Sequence, residues 1–186
     1  MELCLRHNDP TQTLLMTPDG IVMYQITTPT HQLEGATTIS RLENQCIVQS
    51  SGRVSTVVGQ IDYHGVNGIR LRILDPECSL DFALVSNIVS QGEEDRSWTF
   101  NGPDSQSYTW QIMFRSPVLF VSGNTLIPLA RYRRAKMGIV SRSRRAFLEI
   151  FPAGINIIDL VVVTFVSYYK QCMADETEHG CPTSES

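Results

Sequence analysis

At 186 residues, with 42% apolar and 18% charged residues, the chain has the size of one domain and enough apolar surface for a core. This composition excludes a wholly disordered chain, which would combine low hydrophobicity with high charge. A net charge of −4 is too small to imply a polyanionic partner for the chain as a whole, so no nucleic-acid partner is expected.

The opening residues, Met1 to His7, carry an acid at Glu2 and no run of seven apolar residues, so they lack the pattern of a secretory leader. The five cysteines, Cys4, Cys46, Cys78, Cys172 and Cys181, are odd in number and scattered, which suits neither a disulfide framework nor a zinc site. Free thiols in a reducing, cytoplasmic compartment are expected.

Short alternating segments separated by turn residues follow. Residues 12–17 and 21–27 flank Pro18-Asp19-Gly20, where proline presets the turn and glycine supplies positive φ, so they predict a β-hairpin. Further strands are expected at 37–42, 54–63, 68–74, 96–100, 108–114, 117–121, 129–136 and 145–151, with turn signals between them. Residues 82–92 fit either a strand or a short helix. Trp98, Phe100, Tyr108 and Trp110 flank the Asn101–Asp104 turn and are expected to pair across strands in the core.

Residues 153–169 are too long for an ordinary strand and are expected to be helical, with Asp159 early and Lys170 late, as the helix dipole favours. Their apolar residues point in every direction, and such a helix must be buried all round, in a protein core or in lipid. Asn156 and Asp159 would burden a membrane span, although the segment's place near the C-terminus keeps a tail anchor open. Residues 175–186 are acidic and polar and are expected to form a loose tail.

Charge is unevenly distributed. Arg131, Arg133, Arg134, Lys136, Arg142, Arg144 and Arg145 fall within fifteen positions that hold no acid, leaving eight bases against nineteen acids elsewhere. On two adjacent strands these bases would crowd onto one hairpin. That hairpin would be either a docking patch for anionic lipid headgroups or simply a solvated, edge-protecting face.

No nucleophile elbow, phosphate-binding glycine loop or His-Glu-x-x-His motif occurs; His7-Asn8-Asp9 before Pro10 reads as a turn, His31 and His64 are isolated beside turn residues, and His179 lies in the tail. No catalytic residue, metal site or cofactor is therefore assigned.

Two stretches carry a resemblance. One is Asn8-Asp9-Pro10, Thr13-Leu14, Asp19-Gly20 and Tyr24 to Pro29. The other is Arg131 to Arg134, Phe147-Leu148-Glu149-Ile150 and Asp159 to Val166. Together they resemble a family of uncharacterised proteins abundant in mushroom-forming fungi, which is similar to the tubby C-terminal domain, phospholipid scramblase and LURP-one-related superfamily. The resemblance implies an antiparallel β-barrel closed around an apolar C-terminal helix. Tubby-type domains bind phosphoinositides through basic residues, but no such residue is carried over here one by one.

The expected protein is thus β-rich (α+β): one tubby-like barrel over 1–173, with an acidic tail at 174–186. It would be a non-enzymatic cytosolic binding module, peripheral to membranes if its basic hairpin meets anionic lipid; its protein partners are not specified by the sequence. The alternatives are a tail-anchored or lipid-handling membrane protein using 153–169, and an enzyme whose site is assembled from distant residues.

Overall fold

Strands form where apolar residues recur at every second position, because one face can then join a common core. The computed structural model describes residues 1–29, 36–44, 53–63, 69–74, 97–136 and 143–178. Its strands are β1 (Glu2–Leu5), β2 (Thr13–Met16), β3 (Val22–Thr27), β4 (Thr37–Asn44), β5 (Arg53–Tyr63), β6 (Ile69–Ile73), β7 (Ser97–Asn101), β8 (Ser107–Met113), β9 (Ser116–Val121), β10 (Asn124–Arg133) and β11 (Phe147–Ile150). A 3₁₀ segment, Pro152–Ile157, leads into the helix α1 (Ile158–Glu178).

Every strand predicted from the alternation is present to within a few residues. The short β1 is the addition, lying between β2 and β11. The ambiguous segment 82–92 lies outside the described residues. The helical backbone runs on to Glu178, beyond position 175, where the acidic composition suggested a loose tail.

The strands form one antiparallel sheet in the order β6-β5-β4-β3-β2-β1-β11-β10-β9-β8-β7. Among the described residues no ladder joins the edges β6 and β7. Closure into a barrel, expected from the sequence, is therefore not seen; the sheet is open and curved around α1. Its bend is assisted by register shifts at Leu15/Met16, at Ile39/Ser40 and on both sides of Pro128, which has no N–H to give a ladder.

The helix occupies the core. Every residue from Leu160 to Tyr168 is buried, including Thr164 and Ser167. Strands from both halves of the sheet reach it. On β5, Gly59 leaves room for Val163, whose Cγ2 would lie 2.5 Å from a Cβ at that position. On β8, Trp110 packs against Phe165 and stacks on Tyr168, and on β10 Tyr132 meets Phe165 and Tyr169. The Trp110 indole donates to the Thr164 hydroxyl (3.1 Å), which donates to the Leu160 carbonyl (2.7 Å). The Thr164 hydroxyl is thereby satisfied and fixes helix against sheet. Trp98 and Phe100 pair with Trp110 and Tyr108 across β7 and β8, as their positions around the turn predict.

Among the described turns some follow local chemistry, and others place non-glycine residues, Ser105 (φ +62°) among them, in the left-handed region. Gly20, at φ +84°, closes the β2–β3 hairpin, as its Pro-Asp-Gly sequence requires. The two-residue β8–β9 turn instead places Phe114 (φ +50°) and Arg115 (φ +61°) in the left-handed region. Non-glycine residues lose roughly 1–2 kcal/mol each there, and Asn-Gly is the pair such a turn favours.

Two outcomes follow from the packed helix. Gly59→Ala should destabilise the fold by about 1–3 kcal/mol through overpacking. Adding Val163→Ala should cost less than the two single changes summed, a coupling measurable in a double-mutant denaturation cycle. Val162→Asp buries an unpaired charge at a fully buried position and should remove cooperative thermal unfolding of the soluble protein. A helix serving only as a membrane anchor would leave that melt unchanged.

Candidate functional site

The two strands that flank the basic segment are neighbours, the condition under which its bases share one hairpin. β10 and β11 pair antiparallel, with Arg131 opposite Glu149, Tyr132 opposite Leu148 and Arg133 opposite Phe147. Ala130, Tyr132, Leu148 and Ile150 are buried in the core, so the alternation turns Arg131 and Arg133 to the outer face. Beyond the strands, Lys136 and Arg144 exchange backbone hydrogen bonds of 2.9 and 3.0 Å, which extends the hairpin. Arg134, Lys136, Arg144 and Arg145 are exposed there, while Arg142 lies outside the described residues.

Two side-chain contacts hold parts of this set. The Arg144 guanidinium lies 4.9 Å from the centre of the Phe147 ring and covers a side chain that would otherwise face solvent. Arg133 lies 3.8 Å from the Glu149 carboxylate in a half-exposed pair, an arrangement worth less than about 1 kcal/mol. Glu149 is an acid that the charge count of 131–145 does not include. Strand register brings it beside Arg131 and Arg133, and only a pairing of these two strands could have revealed it.

The direction of each strand divides the sheet into two ends. β10 runs toward Arg133 and β11 returns from Phe147, so the bases from Arg133 to Arg145 stand at the end opposite the start of α1. At the α1 end is a cavity of about 410 Å³ between β6 and the β7–β8 turn, lined by residues including Arg41, Ile73, Asp104 and Asp159. Here the Tyr24 hydroxyl donates to Asp159 Oδ1 (2.5 Å) and Arg41 donates to Asp159 Oδ2 (2.7 Å). Arg41 also bridges to Glu43 at 2.8 Å.

This cluster anchors the first turn of the helix to β3 and β4. The sequence places Asp159 near a helix start but offers no sign that its partners are Tyr24 and Arg41, more than a hundred residues away. The Asp159 carboxylate raises the pKa of Arg41, and burial together with that carboxylate pushes the Tyr24 phenol well above its ordinary value. Burial and the hydrogen bond to Asp104 raise Tyr108 likewise, and burial raises Tyr132. Cys4 and Cys172 are half-buried, and burial raises the pKa of Cys4. Among the described residues no three histidine, cysteine or acidic side chains gather as metal ligands would.

A curved antiparallel sheet around a C-terminal helix, with a basic hairpin at one end and an ion-paired carboxylate at the other, defines a β-rich, helix-cored domain. A family model matches residues 8–171, and the chain belongs to that family, a family of unknown function (DUF6593). No curated protein and no solved structure matches the chain.

The raised phenol pKa values have a measurable consequence. A phenol that holds its proton more tightly in the folded chain stabilises the fold below the unfolded tyrosine value of about 10, and this contribution is lost as pH rises through the folded value. Of the six tyrosines, Tyr24, Tyr108 and Tyr132 should remain protonated at the pH where exposed tyrosines ionise. They should titrate only as the protein unfolds in alkali, seen as a delayed step in absorbance at the phenolate band coincident with loss of circular dichroism.

Proposed function

We propose that this protein is a non-enzymatic binding module that docks on anionic lipid headgroups through the Arg131–Arg145 hairpin. The supporting observation is the gathering of Arg134, Lys136, Arg144 and Arg145, all exposed, at one end of a single hairpin beside Arg131 and Arg133. Exposed bases in such a cluster each contribute about 1 kcal/mol at an anionic membrane surface. In this reading the protein is cytosolic and peripheral.

We further read the curved sheet as a tubby-like barrel, a reading supported by the burial of Leu160–Tyr168 on all sides. The segment Pro152–Cys172 is long and apolar enough to cross a membrane by length and composition alone. Burial of its middle against β5, β8 and β10 favours a core helix over a tail anchor.

Vesicle flotation tests the headgroup reading. The full-length protein should float with vesicles containing phosphatidylserine and not with phosphatidylcholine alone, and binding should weaken as salt shortens the Debye length to about 8 Å at physiological strength. Arg131, Arg133 and Arg144 changed together to Glu should abolish flotation while the protein still unfolds cooperatively, since the half-exposed Arg133–Glu149 pair and the Arg144–Phe147 contact are each worth about 1 kcal/mol or less. A flat profile across lipid compositions at low salt would remove the lipid-binding role.

A further inference from the structure

The strained β8–β9 turn stands at the same end of the sheet as the basic hairpin. β9 starts two positions before Val118, β10 ends two positions after Arg131, and Val118 pairs with Arg131. The Phe114–Arg115 turn that precedes β9 is therefore one strand away from Arg133 and Arg134, and adjacent strands are separated by about 5 Å. Phe114 is 93% exposed. Single exposed apolar residues are common and need no explanation. Phe114 differs because it is the most exposed large apolar side chain described, and because it occupies a backbone conformation that disfavours it. Backbone strain held at an exposed tip points toward function. Arg115, also exposed, adds a base beside it.

We infer that Phe114 is an apolar wedge that enters the interface of an anionic bilayer while Arg115, Arg133, Arg134, Lys136, Arg144 and Arg145 engage the headgroups around it. The inference rests on the headgroup-docking reading above and adds an insertion step to it. An anionic membrane is the occupant that matches both halves of the surface: the bases attract negative headgroups, and an aromatic ring lies favourably at the headgroup–acyl boundary. Glu149, which is engaged with Arg133, is an acid on this hairpin. An acidic polypeptide would satisfy the bases and leave the ring in water.

The two contributions separate by salt. Attraction to headgroups is screened, whereas insertion of the ring is not. Phe114→Asn suits the left-handed turn better, so this variant should melt at or above the wild-type temperature. It should bind phosphatidylserine-containing vesicles about tenfold more weakly, with the larger loss at high salt. Phe114→Trp should retain binding and be quenched by lipids brominated along the acyl chain; the native Trp98 and Trp110 are buried and would contribute little to that signal. Wild-type binding undiminished in Phe114→Asn, or no quenching in Phe114→Trp, overturns the wedge and leaves headgroup docking standing. Equal binding to soluble polyglutamate and to vesicles, unaffected by Phe114→Asn, also overturns it and makes the face a general anion surface. Failure of the wild type to bind any vesicle sinks headgroup docking and the wedge together.

Discussion

The fold depends on burying a helix that has no polar face. From Leu160 to Tyr168 every side chain must leave water, and a flat sheet can cover only one side of a helix. The solution is a sheet of eleven antiparallel strands that curves until β5 and β6 approach the helix from one half, and β8 and β10 from the other. Strand twist supplies part of that curvature, and the register shifts in β2–β3, β4–β5 and β9–β10 supply more. Gly59 is a local consequence, since the sheet comes so near Val163 that no Cβ fits between them.

Burial on all sides makes the few polar groups of the helix decisive for its register. Thr164 would be costly in this position without a partner, and Trp110 and the Leu160 carbonyl supply its hydrogen bonds. Asp159 sits where the helix emerges, half-exposed, and is held by Tyr24 and Arg41. Helix position is thus set at two depths, by an indole–hydroxyl contact inside and by an ion-paired carboxylate at the mouth. Trp98 Nε1 and Ser167 Oγ are buried without a hydrogen-bond partner among the described residues.

The same geometry gives the molecule two chemically different ends. Where α1 begins, Arg41 is shared between Asp159 and Glu43 beside a cavity that Asp104 also lines. At the other end, exposed bases of the β10–β11 hairpin stand beside a turn whose backbone conformation is paid for in stability. Among the described residues at the mouth, acids outnumber the base Arg41, whereas exposed bases gather on the β10–β11 hairpin, so the basic end is the better candidate for meeting an anionic partner.

Much of this was legible in the amino-acid sequence because it is local. Alternation over residues 21–27 or 54–63 requires only a period of two, Pro18-Asp19-Gly20 specifies its own turn, and the all-round apolar character of 153–169 demands burial wherever the helix lies. The run of bases from Arg131 to Arg145 was likewise visible, and became a basic hairpin only on the condition that its flanking strands were neighbours. The pairings that cross long stretches of chain were not legible: β1 against β11, Glu149 beside Arg133, and Tyr24 and Arg41 on Asp159. The strain at Phe114 and Arg115 was also hidden, because strand register, and not the preference of those two residues, decides that the turn must be left-handed. Local periodicity therefore determined the elements and the need for an enclosed helix. Sheet order and register, settled only when the strands close on that helix, decided which distant side chains meet.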